Sequence, residues 1–282
     1  MDVDNKKHKS MIGGNELKRK HKQKITKWVA FILATLTIVA PFLSAIAFFR
    51  ASKETYVEFS IPVANEGRKL PIYCVDTKGE KKVSLTFDAA WGDEDAEEIL
   101  GTLSKYGVKA TFFMVGDWVR KYPEVVKKIS EEGHDVANHS DRHPHVNQLG
   151  KEAIKKDIMD AHQTIQEITG KVCDLYRPPY GEYNNTVLEA AKECGYHTIQ
   201  WDVDSIDWKG YDAPTIVSKV VNHKNLREGS IILLHNGAKH TAEALPKIIE
   251  GLQEKGYTIV PISELIYKEN YLLNHEGRQY QA

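Results

Sequence analysis

From Ile72 onward the chain alternates short apolar runs of strand length with amphipathic stretches of helix length, and that alternation leaves few architectures open. Val83-Ser84-Leu85-Thr86-Phe87 reads as a strand, and residues 95–106 as a helix with Ile99, Leu100 and Leu103 on one face. Residues 110–115 read as a second strand, and Pro123 opens a helix that Gly133 ends. The pattern continues through helices near 151–168, 185–194, 213–223 and 241–255, with strands near 174–177, 198–201, 230–234 and 258–260. It predicts an α/β fold with a mostly parallel sheet or barrel. About seven β/α units over roughly 190 residues fall short of a full eight-unit barrel.

Ahead of that region Trp28 to Phe49 is apolar without a single charge, and its 22 residues match the roughly 20 that a helix needs to cross a bilayer. Residues 1–27 carry nine Lys/Arg against three Asp/Glu, a local charge of +6. With the whole chain at −1, the remainder stands at −7, which argues against nucleic acid as a partner. The basic run before the apolar segment outweighs Arg50 and Lys53 after it, so the positive-inside rule puts residues 1–27 in the cytoplasm. The expected plan is a basic tail at 1–27, a single-pass anchor at 28–49, a stalk or leading arm at 50–72, a main domain at 73–267 outside the membrane, and a tail at 268–282. Ala45-Ile46-Ala47 leaves a cleaved signal peptide as the alternative, although a signal core is usually only about 7–15 residues long.

Three cysteines, Cys74, Cys173 and Cys194, cannot all pair within one chain, and none has the spacing of a metal finger or redox motif. Buried thiols, or at most one disulfide, are expected.

Polar clusters follow the predicted strands, where side chains of a parallel sheet can converge on one pocket. Asp88 ends the first strand; such an Asp is also a common turn or cap residue. His139 and His143 are four apart in a segment rich in His, a spacing that brings two imidazoles to one face and suits two ligands of one metal ion. His134 and His145 are at the wrong spacing to be ligands and are expected to be structural or to support the ligands from behind. Arg177-Pro178-Pro179-Tyr180-Gly181 is a stiff turn, Asp204, Asp207 and Trp208 form an acidic-aromatic cluster, and Leu233-Leu234-His235 delivers a His to a strand end.

In this order the five segments resemble the polysaccharide deacetylase family, also called the NodB-homology or carbohydrate esterase 4 family, over about residues 73–267. The leading segment Tyr73-Cys74-Val75-Asp76 and the following Thr-Phe-Asp-Ala-Ala-Trp-Gly look most like a branch associated with sporulation in Gram-positive spore formers. The resemblance implies a distorted (β/α)7 barrel, here preceded by one transmembrane helix, that hydrolyses N-acetyl groups of a glycan polymer. It implies a divalent metal, zinc with cobalt or manganese as alternatives, held by His139 and His143. Asp88 would be the base, His235 the acid, and Asp207, with Asp204, would orient His235. Arg177 would hold Asp88, the Tyr180 amide would bind the oxyanion, and Trp208 and Leu233 would wall the sugar and acetyl group. An acetylated glycan on the outer face of the membrane is the expected partner, and a monomer the expected state.

One position departs from the family pattern: Ala89 stands where a second Asp would be the third metal ligand. Asp93 is the first candidate to replace it; Asp95, Asp88 itself or water are the others. The same departure keeps open a catalytically silent glycan-binding protein of wall or spore assembly, and the mechanism would also serve an O-deacetylase.

Overall fold

The computed structural model describes residues 67–282. The expected basic tail, membrane span and most of the stalk lie outside them. Among the described residues no helix is long and apolar enough to cross a membrane.

Strand β2 (Lys82–Ala89) is organised by period two. Val83, Leu85, Phe87 and Ala89 are wholly buried against the main apolar core, while Ser84, Thr86 and Asp88 on the other face are also buried. A strand covered on both faces belongs in the middle of a parallel sheet, and β2 is there. It pairs in parallel with β3 (Thr111–Met114) on one side and β8 (Ile231–Asn236) on the other. Outward from β3 follow β4 (Asp135–Asn138), β5 (Leu175–Tyr176) and β6 (His197–Thr198). β7 (Val203–Asp204) flanks β8, and β9 (Thr258–Ile259) pairs with the start of β2. Every pairing in this sheet is parallel, so all its strands end on one edge of a half-barrel.

The crossover helices are α1 (Ala96–Lys105), α2 (Gly116–Lys121), α3 (Pro123–Glu131), α4 (Lys151–Thr169), α5 (Asn185–Glu193), α6 (Ala213–Val221), α7 (Thr241–Glu254) and α8 (Ile262–Leu265). In α4 the buried residues Ile154, Ile158, Ala161 and Ile165 recur every three or four positions, and Gly170 at φ 67° ends the helix in a left-handed cap. Asn184 and Asp212 start α5 and α6 by accepting the Val187 and Thr215 amides at 3.0 Å.

The alternation expected from the sequence is present, with additions. The short strand β1 (Cys74–Val75), β4, β7, α2 and α8 were not foreseen; β4 lies inside the His-rich segment, whose polarity hides its period. The expected tail at 268–282 is instead a hairpin of β10 (Tyr271–Leu273) and β11 (Arg278–Gln281), and β11 pairs in parallel with β1 (Cys74–Val75). Its cohesion is polar: Gln279, wholly buried, donates to the Tyr267 carbonyl at 2.6 Å and accepts from the Tyr267 amide at 2.9 Å. The segment around β1 also bridges Ile72 to Ile199 and Cys74 to Ser230, tying the arm to both limbs of the sheet.

That junction depends on Gly229, whose backbone sits at φ 80° with its amide donating to the Lys82 carbonyl at 2.7 Å. A Cβ there would come 1.7 Å from the Val75 carbonyl oxygen. Gly229→Ala is therefore expected to lower stability by about 2–4 kcal/mol, read as a lower urea midpoint at unchanged m-value.

Candidate active site

Register brings the first two functional groups together. In the β2–β8 pair Asp88 lies directly opposite His235. β4 ends at Asn138 and β5 at Tyr176, so His139 and Arg177 emerge one residue later on the same edge.

Arg177 is wholly buried and donates from Nη1 to Asp88 Oδ1 at 2.6 Å and from Nη2 to the Gln200 carbonyl at 3.2 Å. Its guanidinium lies 4.0 Å from the centre of the Phe113 ring, a cation–π contact in a dry environment. Burial alone would raise the Asp88 carboxyl, but the Arg177 charge, followed by His139 and His235, more than offsets it and holds the carboxyl below its ordinary range. Asp88 is thus an ionised base with one oxygen committed to Arg177.

The other oxygen, Oδ2, stands 3.5 Å from His139 Nε2. That is long for a hydrogen bond and close to the separation of two ligands around one ion with bonds of about 2.1 Å. His139 Nδ1 is 2.7 Å from the Arg177 carbonyl, which only accepts, so Nδ1 carries the proton and Nε2 presents a lone pair. Burial, in His143 followed by the proximity of His139, lowers both imidazoles, His143 to about 4, and keeps them neutral as ligands must be.

The two rings meet edge to face with centroids 5.0 Å apart, and a turn rather than a helix brings them together. Ser140 and His143 adopt φ 72° and 55°. The turn is held by Asn138, wholly buried, whose Oδ1 accepts the Ser140 amide at 2.8 Å, while Ser140 Oγ accepts the His143 amide at 2.9 Å. Asn138 Nδ2 in turn donates to the Ile158 carbonyl at 2.8 Å. His134, as expected, is structural: its Nδ1 accepts the Ala110 amide at 3.1 Å at the opposite end of β4. His145 stacks on Tyr180 with centroids 4.3 Å apart and packs at the rim.

On the other side of Asp88, His235 Nδ1 lies 2.7 Å from Asp207 Oδ1. Asp207 Oδ2 accepts both the His235 amide at 2.8 Å and the Thr241 hydroxyl at 2.7 Å. Burial would lower the His235 imidazole, but the Asp207 hydrogen bond and charge outweigh it, so its net shift is upward, in the direction that favours the protonated acid. Leu233, two residues earlier on β8, is buried on the same face, and Trp208 stands half exposed beside Asp207. Tyr180 occupies φ 59° and rests edge-on against His143 at 4.5 Å.

Two expected residues are placed differently. Asp204 does not touch His235: its Oδ1 caps the turn by accepting the Ile206 amide at 2.8 Å, and it acts on His235 only through its more distant charge. Asp93 is not drawn into a three-ligand group with His139 and His143, and among the described residues no three His, Cys, Asp or Glu side chains form one. The reason is local: its carbonyl opens α1 by accepting the Ala96 amide at 3.0 Å, and its loop is pinned toward β8 through Gly92 and Asp95. Ala89 cannot serve either: its methyl carries no donor atom, and it packs in the core. The donors present, two neutral imidazoles facing an ionised carboxylate, nonetheless fit a divalent cation held by His139 and His143.

Asn138, Thr241 and Trp91 were not foreseen. Asn138 and Thr241 act through backbone and carboxylate partners distant in sequence; Trp91, an aromatic in a Gly-containing polar loop just past a strand end, carried a legible signal.

The buried pair yields a direct test. Arg177→Met leaves Asp88 buried without its counter-charge and is expected to cost about 3–5 kcal/mol in urea unfolding at pH 7. The loss should shrink at acid pH, where a carboxyl no longer held down by Arg177 takes up a proton.

Known proteins resemble this chain in sequence and fold. The family model for polysaccharide deacetylase matches residues 75–199. A peptidoglycan-N-acetylglucosamine deacetylase of Bacillus cereus is 36% identical over 192 residues, covering 66% of this chain and 89% of the relative. The peptidoglycan-N-acetylmuramic acid deacetylase PdaA of Bacillus subtilis is 34% identical over 204 residues, 71% of this chain and 77% of the relative. The crystal structure of a wild-type CE4 family pseudoenzyme from Bacillus anthracis superposes with a TM-score of 0.67 at 31% identity, covering 76% of this chain and 73% of that one. With most of each relative's length matched at this identity, and the five motif segments gathered on one edge of the same parallel sheet, the chain belongs to the polysaccharide deacetylase family.

Proposed function

We propose that the chain is a metal-dependent N-deacetylase of a cell-wall polysaccharide, acting on peptidoglycan or N-acetylglucosamine oligomers. The observation that carries this reading is the pairing of an ionised Asp88 with an Asp207-backed His235 on adjacent strands, next to two neutral imidazoles.

Asp88 Oδ2 takes the proton from the attacking water, and Arg177 keeps the carboxylate ionised and oriented for it. The Tyr180 backbone amide donates to the developing oxyanion, a contribution of about 3 kcal/mol for one such donor. His235 gives its proton to the amine nitrogen as the C–N bond breaks, leaving acetate and a free sugar amine. Leu233 walls the acetyl methyl and Trp208 the sugar face. A divalent cation held by His139 and His143, zinc or else cobalt or manganese, supplies when bound a lowered pKa for water and a polarised acetyl carbonyl. Ala89 supplies no donor, so His139 and His143 would hold the cation while Asp88 Oδ2 stays free as the base.

The half-barrel belongs to a distorted (β/α)7 domain over residues 73–267. A single-pass anchor at 28–49 tethers this domain, as a monomer, on the outer face of the cell membrane, where the wall is its substrate. The sequence supports the anchor through its uncharged 22-residue run behind a basic tail. The likeness in the first motif supports a setting in sporulation.

A silent glycan-binding role is the second reading, favoured by Ala89 and by the likeness to the Bacillus anthracis pseudoenzyme. Acetate release from acetylated glucosamine oligomers and from peptidoglycan separates the two. The chelated protein should be inactive, zinc or cobalt should restore release, and Asp88→Asn should abolish it in a folded protein. No release with any metal, from a folded protein that still binds glycan, would establish the silent role.

A pH profile tests the acid. Because Asp207 raises His235, activity should persist above the ordinary imidazole range and fall as pH rises through the elevated value. Asp207→Asn removes the cause of the elevation, so the alkaline limb should move to lower pH and the rate at neutral pH should fall about 10²–10⁴-fold.

A further inference from the structure

Trp91 stands two residues beyond β2 in a loop that crosses the end of β8. Its backbone is pinned. The Gly92 carbonyl accepts from Trp118 Nε1 at 3.0 Å and from Asn236 Nδ2 at 2.6 Å, and the Gly237 amide donates to Asp95 Oδ1 at 2.8 Å. Gly237, at φ 86°, permits the close approach: a Cβ there would lie 3.2 Å from the Gly92 nitrogen and 3.5 Å from Trp91 Cβ.

The indole lies nearly parallel to the His235 ring, with centroids 5.3 Å apart and an interplanar angle of 23°. One face of the indole is turned toward His235, and the residue remains 51% exposed. Trp208, 53% exposed, follows the carboxylate partner of the same His235. A pinned aromatic face open to solvent at a concave site binds flat apolar surfaces with little ordering cost, and the C–H face of a pyranose is such a surface.

We propose that Trp91 is a sugar platform for the residue of the glycan next to the one being deacetylated, so that the site selects polymer over short fragments. This rests on the deacetylase reading above. Distance excludes the reacting sugar itself. A ring stacked on the outer face of Trp91 lies a further ~4.5 Å out, about 10 Å from the His235 imidazole, whereas the amine that His235 protonates must come within about 3 Å.

The test compares the full chain with Trp91→Ala and Trp91→Tyr on N-acetylglucosamine disaccharide and tetramer. Because both substrates use His235, the ratio of their kcat/KM values cancels any effect of the indole on the acid. Trp91→Ala should lower the tetramer-to-disaccharide ratio about ten-fold, and Trp91→Tyr should restore most of it. Calorimetric binding of the tetramer should weaken by a similar factor, and this arm needs no turnover. An unchanged ratio together with unchanged tetramer binding in Trp91→Ala overturns the platform and leaves the deacetylase reading intact. A wild-type protein that neither releases acetate nor binds the tetramer overturns both.

Discussion

The buried ion pair between Asp88 and Arg177 is the constraint on which the rest of the site depends. Arg177 is wholly enclosed, and a guanidinium there is tolerable only because Asp88, the Gln200 carbonyl and the Phe113 ring compensate its lost hydration. The pair does more than balance charge. It locks the carboxylate of β2 to the end of β5, across the intervening β3 and β4, and so fixes the width of the pocket. The Arg177 carbonyl then sets the tautomer of His139, so one residue governs both the ionisation of the base and the availability of a ligand nitrogen.

Around that pair the strand ends continue into turns that ordinary residues adopt reluctantly. Ser140, His143, Tyr180 and Ile206 all have positive φ and all lie in the loops that carry the site. For a β-branched residue such as Ile206 this is a genuine outlier, held by the Asp204 cap on its amide. Strain of this kind persists only where surrounding hydrogen bonds over-determine it, and buried Asn138 at Ser140 and half-buried Asp204 at Ile206 supply such bonds. The consequence is a preorganised pocket in which imidazoles, carboxylate and acid already face one another.

Position 89 shows how a substitution at a functional motif can be structurally quiet. Ala89 continues the odd-numbered face of β2 and fills core space beside Phe87, so nothing in the packing is disturbed. What changes is the donor count at the pocket: two imidazoles remain, and among the described residues Asp88 is the only carboxylate within ligand spacing of either. On the proposed reading that count predicts a weakly held cation, and the chelation and metal-restoration experiment turns on it.

Much was legible without coordinates, because the relevant signals are local. Period two in Val83–Phe87, period 3.6 in the helices and the Pro and Gly punctuation determined a parallel α/β domain, and the order of five polar segments, through the family resemblance it carries, indicated most of the residues that meet. Tertiary structure alone decided the rest. It turned Ala89 into the core and kept Asp93 at a helix start; it made Asp204 a turn cap rather than a partner of His235. It joined His139 and His143 through left-handed turns, laid Trp91 on His235, and folded residues 271–281 into a hairpin. Each of these depends on strand register and on how closely one loop can approach another. Backbone pairing between residues far apart in sequence sets both, and periodicity, which reports only on near neighbours, carries no record of it.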